Sequence, residues 1–211
     1  MIRLASMRDN EGRTLTANNG EPHASKRADA LRNARTVLEA AAAVFVESGV
    51  DAPIRQIASR AGVGIATIYR HYPTRQDLIV AVYRHQVEAC AAAAPELLAS
   101  SSSAFAALRS WVGLFVEFLT TKHGLASAMS SDEGEFGTLH AYFLDRLVPA
   151  CSQILDAGIA AGEFRPGVPA ALLLRAVGNL CVTSQFDQAN ETQNMVDVFL
   201  DGMTVVASPS S

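Results

Sequence analysis

Apolar residues recur every three or four positions along most of the chain, the spacing that places them on one face of an α-helix. Alanine and leucine dominate over β-branched residues, and no alternation of polar and apolar residues is long enough to indicate a strand. The pattern predicts an all-α fold of about nine helices. These cover residues 29–48, a helix starting at 51–53, 65–71, a helix from Thr74 towards Cys90, 104–121, 124–130, 136–161, 169–188 and 192–207.

Glycine, proline and serine mark the predicted ends of these helices. Gly49 suits a left-handed cap after the first helix, Pro73 stops the third, and Thr74 caps the fourth. Pro95 and the serine run 100–103 mark a boundary between two parts of the chain.

Residues 54–72 have the spacing of two short helices joined by a tight turn. Ala58 is small enough for the helices to cross, Gly62 permits a left-handed backbone in the turn, and Ile68 returns an apolar side chain to the core. This helix-turn-helix pattern is typical of proteins that place the second helix in the DNA major groove. The other positions predicted to point inward are Ile57, Ala61, Val63 and Ile65.

The residues around this motif resemble the TetR family of bacterial transcriptional regulators. The resemblance covers about residues 35–82, and beyond residue 90 it is one of helical layout. It implies nine helices, with an N-terminal DNA-binding head and a C-terminal body that binds a ligand and dimerises. Where the family commonly carries Phe and Lys, this chain has Tyr72 and Arg75. The matching residues are 35–41, Phe45, Ser48-Gly49, Ile57-Ala58, Ala61-Gly62-Val63, Thr67 to Tyr72, Arg75, Leu78 and Ala81-Val82.

Four regions follow from these patterns. Residues 1–26 are polar and without period, which predicts a disordered extension, although its arginines could also follow DNA as a basic arm. The helix-turn-helix domain is assigned to 27–75, the ligand-binding and dimerisation domain to 76–207, and a flexible tail to 208–211.

Small and basic residues lie on the outward face of the predicted recognition helix. Small side chains let the helix backbone approach the bases, and Arg70 could read guanine or hold a phosphate. The family resemblance implies backbone contacts for Thr67, Tyr69 and His71, while His71 could instead have a packing or capping role. Arg75 could pair with Asp77 instead of a phosphate. The residues predicted to contact DNA are Arg55, Gly64, Ala66, Thr67, Tyr69, Arg70, His71, Tyr72 and Arg75.

Charge is distributed unevenly about the net value of −4. Residues 1–85 hold 12 Lys+Arg against 8 Asp+Glu, giving +4, and residues 86–211 hold 5 against 13, giving −8. A cationic head on an anionic body suits a protein that presents one end to DNA phosphates.

The last two predicted helices, within 169–207, carry broad apolar stripes. A single head covers only a few base pairs, whereas two heads about 34–36 Å apart would read a palindromic operator. We therefore expect a homodimer formed through these helices as a four-helix bundle. The alternative is that both stripes pack only within one chain.

Aromatic residues crowd two body helices and could line an apolar pocket with a few polar groups. Rings at helical spacing are also common in cores, so both interpretations stay open. A pocket of this kind would take a small apolar or aromatic effector that shifts the fourth helix and so changes DNA affinity. The predicted ligand-binding residues are Trp111, Phe115, Phe118, His140, Phe143, Arg175 and Asn179, with Gln185 as a further polar candidate.

Other classes of function find little support in the chain. Catalytic motifs and phosphate-binding glycine loops are missing from the sequence, so no enzyme, cofactor or metal is predicted, although a site assembled from distant residues stays conceivable. Three widely spaced cysteines indicate reduced thiols in a cytoplasmic protein, and no apolar run reaches the roughly 18 residues that span a membrane. The sequence thus predicts a dimeric, ligand-released repressor, with a ligand-blind DNA-binding dimer as the alternative.

Overall fold

The computed structural model describes residues 21–128, 133–183 and 189–205, with side chains described for 32–119, 137–181 and 191–205. The chain divides into two compact units, 1–35 and 36–211. Of the first unit only the start of α1 is described below, and all sites lie in the second. Its described residues form helices and one isolated β-bridge, so the all-α prediction is confirmed. The helices are α1 (Glu21–Ser48), α2 (Ile54–Ala61), α3 (Ile65–His71), α4 (Arg75–Ser100), α5 (Ala104–Ala128), α6 (Glu133–Ala160), α7 (Ala170–Thr183) and α8 (Ala189–Asp201).

The apolar stripe of α1 is buried as predicted. Val37, Ala41, Val44 and Phe45 are each at most 5% exposed and belong to the same core cluster as the buried residues of α2 and α3. Gly49 follows the helix with φ +78° and donates its N–H to the Phe45 carbonyl at 3.0 Å. The helix itself begins at Glu21, so residues 21–26, assigned above to the extension, are helical, and residues 1–20 lie outside the described part.

The predicted boundary at Pro95 is wrong, because α4 continues through it to Ser100. Proline removes one backbone donor from the helix. Here Pro95 is exposed, while Val87, Cys90 and Ala94 on the other side of α4 are buried and hold the helix in place. The serine run does mark a boundary, since α5 begins at Ala104.

The chain has eight helices in its described residues, because the predicted 104–121 and 124–130 segments form one continuous α5. The predicted interruption at 122–123 is absent, although Gly124 lies beside it. A single glycine within a helix costs only about 1 kcal/mol relative to alanine, and no proline reinforces it.

The loop between α6 and α7 is tied to the chain after α8. Phe164 forms an antiparallel bridge with Thr204, and the Val205 N–H donates to the Glu163 carbonyl at 2.9 Å. This pairing explains why α8 ends at Asp201 instead of the predicted 207. The Glu163 carboxylate also accepts the N–H of Phe105 at 2.8 Å, at the start of α5.

Candidate nucleic-acid interface

The turn between α2 and α3 depends on one glycine. Gly62 has φ +67°, a left-handed conformation that side chains with a Cβ rarely adopt. Its N–H and that of Val63 bond to the carbonyls of Ser59 and Ala58, at 3.3 and 3.0 Å, which closes the end of α2. Gly64 then precedes α3 in extended backbone. The predicted helix-turn-helix geometry is therefore present.

The outward face of α3 carries four of the nine predicted DNA-contacting residues. Ala66, Tyr69, Arg70 and His71 are exposed, whereas Ile68, on the opposite side, is 1% exposed and packs into the core. Both turns of this seven-residue helix therefore present exposed side chains.

Ile65 is exposed at the start of α3, so the prediction that it fills an inward position is wrong. Its side chain is 44% exposed. Ile65 is the first residue of α3 and follows Gly64, so no preceding helical turn or neighbouring side chain covers it. The sequence signal that could have identified it is this position at the helix start, directly before Ala66.

Thr67 and Tyr72 are half-buried, and the Gly64 backbone is exposed. Tyr72 packs against the core, and this burial raises the pKa of its phenol. Its ring centroid lies 6.2 Å from that of His71. These two residues therefore support each other at the C-terminal end of α3.

The arginines of α2 and α3 fall into two groups. Arg55 and Arg70 are exposed and bond to no other side chain or backbone group that the structure describes. Arg60, in contrast, forms an ion pair with Glu47 at 2.7 Å, which joins α2 to α1. Arg55 and Arg70 therefore have their donors available for an external anion.

Arg75 bonds to the head itself. Its guanidinium donates to the carbonyl of Val50 and, at 2.6 Å, to that of Ala52, so it holds the turn that precedes α2. The possible Arg75–Asp77 pair is replaced by a capping box at the start of α4. Asp77 accepts from the Thr74 backbone at 2.9 Å, and the Thr74 hydroxyl accepts from the Asp77 N–H at 3.0 Å. The hydrogen bonds from Thr74 lower the pKa of the Asp77 carboxyl.

Five of the seven predicted ligand-binding residues meet in one ring stack. Phe115 lies 6.1 Å from Trp111 and 5.8 Å from Phe143 between ring centroids, and Phe118 lies 5.8 Å from Phe143. These four side chains are at most 5% exposed. His140 stacks on the outer side of Phe143 at 5.7 Å and is exposed.

The polar atom of this stack is already bonded. Trp111 donates its indole N–H to the Cys90 carbonyl at 2.8 Å. The Cys90 thiol beside it is buried, which raises its pKa to about 12 and keeps it neutral. Arg175 and Asn179 lie on the exposed side of α7 and are not part of the stack, and Gln185 lies outside the described residues.

Comparisons with known proteins match both the N-terminal helix-turn-helix segment and the C-terminal helices to families of transcriptional regulators. The sequence model of bacterial regulatory proteins of the tetR family matches residues 37–82, and that of the C-terminal domain of SbtR-like transcriptional regulators matches 103–205. A TetR transcriptional regulator from Streptomyces coelicolor is 34% identical, aligned over 82% of this chain and 99% of its own, with a TM-score of 0.75. This chain belongs to the TetR family.

Two further TetR-type relatives cover different amounts of the chain. A TetR regulatory protein from Mycobacterium vanbaalenii is 31% identical over 85% of this chain and 99% of its own, with a TM-score of 0.68. The HTH-type transcriptional repressor LfrR of Mycolicibacterium smegmatis is 38% identical over 78 residues, which are 37% of this chain. The match thus spans 41% of that repressor's length.

The body of this TetR-family chain has an apolar surface on its last two helices. Leu172 of α7 is 43% exposed, and Met195 and Val198 of α8 are 42% and 73% exposed. Leu172, Arg175 and Asn179 follow one another at helical spacing on the outward side of α7. We call the exposed side chains of Leu172, Arg175, Asn179, Met195 and Val198 the α7–α8 face.

The remaining expectations concern metals, thiols and membranes. Cys90 and Cys151 are buried free thiols, and Cys181 is a half-buried one. The described positions contain no group of three or more His, Cys, Asp or Glu that could hold a metal ion. In the same part of the chain, no helix is long and apolar enough to cross a membrane.

Proposed function

We propose that this TetR-family chain is a homodimeric transcriptional repressor that binds a palindromic operator through α3 and is released by a small apolar or aromatic ligand. The observation that carries the proposal is the outward face of α3, where small and basic side chains are exposed on a helix anchored by Ile68. A helix of this kind enters the major groove with its side chains against base edges.

Base reading is assigned to the first turn of α3 and to Arg70. Ile65, Ala66 and the Thr67 methyl group contact thymine methyl groups, which are the apolar groups of the major groove. Arg70 donates two hydrogen bonds to guanine, for which its unpaired guanidinium is suited.

Phosphate contacts are assigned to side chains on the border of the same face. Tyr69 and His71 are exposed there, Arg55 lies at the start of α2, and the half-buried Tyr72 follows the end of α3. The exposed backbone of Gly64 allows close approach. We assign Arg75 to support instead, because its donors hold the carbonyls of Val50 and Ala52.

Dimerisation is assigned to residues 169–207, through the α7–α8 face. Large apolar side chains this exposed are costly in water, and a second copy would bury them as a four-helix bundle. Arg175 and Asn179 share this side of α7, so we reassign them from ligand binding to the dimer interface. The boundary between head, 27–75, and body, 76–207, remains part of the proposal.

The packed ring stack favours a second candidate for the body. Trp111, Phe115, Phe118 and Phe143 are buried against one another, an arrangement expected of a body that only dimerises and binds no effector. A ligand-dependent change in operator affinity separates the two candidates.

Since the relatives are transcriptional regulators, we propose regulation rather than catalysis, acting on DNA in the cytoplasm.

The test is selection of bound sequences from random double-stranded DNA at near-physiological salt. The wild-type chain is expected to enrich an inverted repeat. Arg70→Ala should lose preference at a guanine, and Ile65→Ala at a thymine, each by about 1–3 kcal/mol of discrimination. Arg60→Ala, which removes an arginine already paired with Glu47, is the matched control and should select the wild-type sequence. A folded dimer that enriches no sequence would overturn the proposal.

A further inference from the structure

A cavity lies between the head helix α1 and the body helices α4 and α5. Its volume is about 440 Å³, within the range of small-molecule sites, and it is partly open to solvent. Each of the three helices contributes three residues to its lining. Of the ligand-binding residues predicted from the sequence, Phe118 alone borders it.

Most of the lining is apolar, and small residues create the space. Ala42 and Ala43 of α1 and Ala89 of α4 have side chains too short to fill the gap between the helices. Val46 and Leu114 stand at the border, 56% and 39% exposed. Two of the large apolar side chains that this chain leaves in water therefore converge on one cavity.

The polar part of the lining carries one negative charge. Among the described lining residues, Glu117 of α5 supplies a carboxylate, Gln86 supplies an amide, and the Cys90 thiol is neutral. A carboxylate has about four acceptor positions, so it can receive a further donor besides those within the protein. An apolar cavity with one carboxylate complements an apolar cation.

We propose that this cavity between α1, α4 and α5 is the effector site, and that it takes a small apolar molecule bearing a single positive charge near Glu117. The inference rests on the proposed ligand-released regulator and names where its ligand binds and what that ligand is. It replaces the ring stack, since Trp111 and Phe115 do not border this cavity.

The position of the cavity accounts for coupling to DNA. α1 shares a core cluster with α2 and α3 and is joined to α2 by the Arg60–Glu47 ion pair, while α4 and α5 are assigned to the body. A ligand held against all three helices contacts both parts, so it favours one distance between them over another. Affinity for DNA changes only if the ligand binds the two arrangements unequally.

The probe is tetraphenylphosphonium, compared with tetraphenylborate, an ion of the same shape and opposite charge. Calorimetric titration into the full chain should show that the cation binds at least about tenfold more tightly than the anion. Glu117→Gln should weaken cation binding about fivefold, the upper end for a solvent-exposed ion pair. Glu96→Gln, which removes a carboxylate from the exposed side of α4 away from the cavity, is the control and should leave it unchanged.

A second variant tests the location independently of charge. Ala89→Phe fills the cavity from an exposed position, so the fold is retained while binding of the cation should be lost. Equal binding of both ions, no binding of the cation, or unchanged binding by Ala89→Phe would each overturn the inference. Operator binding by the ligand-free chain tests the proposed regulator separately. If the chain binds its operator but does not bind the cation, the proposed effector site is wrong and the proposed regulatory function is retained.

Discussion

The outward faces of α3 and of α7 and α8 differ in kind, although all three are short amphipathic helices of one chain. α3 exposes small and polar side chains such as Ala66 and Arg70, with Ile65 as the apolar exception. The α7–α8 face exposes large apolar ones, among which Val198 is 73% exposed. The difference matches the two partners that we propose: a phosphate backbone with base edges for α3, and a second copy of the chain for α7 and α8.

The two regions are also supported differently. α3 is held by one buried side chain, Ile68, and by features at its ends, including the Gly62 turn and the Arg75 hydrogen bonds. The body is held by rings that touch one another across α5 and α6. The proposed DNA-contacting element is therefore short and locally defined, whereas the proposed dimer face belongs to a body held by a non-local core.

The largest effect is expected from removing a ring of the stack. Phe115→Ala should lower the free energy of unfolding by about 3–5 kcal/mol, because it leaves a cavity in a packed core. Urea denaturation followed by circular dichroism measures it. Phe105→Ala, at a half-buried ring outside the stack, should cost less. A loss below 1 kcal/mol for Phe115→Ala would show that the rings line a pocket after all.

The next effect concerns the α7–α8 face. The double variant Leu172→Glu/Val198→Glu places like charges on opposing copies and should weaken dimerisation at least about 100-fold, or about 2.7 kcal/mol. Sedimentation equilibrium measures this, and operator affinity should fall with it. Ile159→Glu adds a charge at an exposed apolar residue of α6, outside this face, and should leave the dimer intact. A double variant that remains dimeric would place the interface elsewhere.

A smaller effect separates support from phosphate contact in the head. Arg75→Ala removes the hydrogen bonds to the Val50 and Ala52 carbonyls and should lower the free energy of unfolding by about 1–2 kcal/mol. Arg55→Ala should leave stability unchanged and reduce the salt dependence of operator binding by about one phosphate contact. The reverse result, with Arg75 changing only the salt slope, would restore Arg75 as a phosphate ligand.

The smallest effect is the pH dependence of a contact between α4 and α6. The Arg146 guanidinium donates two hydrogen bonds to the Glu88 carboxylate, at 2.6 and 2.7 Å, and the Tyr142 hydroxyl donates a third. These three hydrogen bonds lower the pKa of Glu88. The stabilisation is therefore present above the unfolded pKa of about 4.5 and is lost as pH falls through the lower folded value.

Glu88→Gln tests this contact directly. It should lower the free energy of unfolding at pH 7 by less than about 1 kcal/mol, because solvent screens the half-exposed pair. The difference from wild type should shrink as the pH is lowered below 4.5. A difference that stays constant across this range would mean that the charge of Glu88 contributes nothing.

Local features of the fold could be predicted from the sequence, and features that depend on distant packing could not. Gly62, Ile68 and Thr74 act within a few residues of their own position, so their spacing is sufficient evidence. The carbonyls that Arg75 holds lie 23 and 25 residues upstream, and no spacing rule links them. Pro95 failed as a boundary because buried neighbours on α4 outweigh one lost hydrogen bond.

The interpretation of the rings shows the same limit. The spacing of Trp111, Phe115 and Phe118 placed them on one side of α5, but only the packing of Phe143 from α6 decides between core and pocket. The cavity lined by α1, α4 and α5 involves alanines, which carry no distinctive sequence signal.

The most direct test of the central claim, that sequence-specific binding needs both the α3 face and the α7–α8 face, is sedimentation velocity of the chain with the selected DNA. The full inverted repeat and a duplex carrying one half-site would be compared at the same salt concentration. The account predicts two chains on the full repeat, with at least about 100-fold tighter binding than to the half-site. One chain per repeat, or equal affinity for both duplexes, would contradict it.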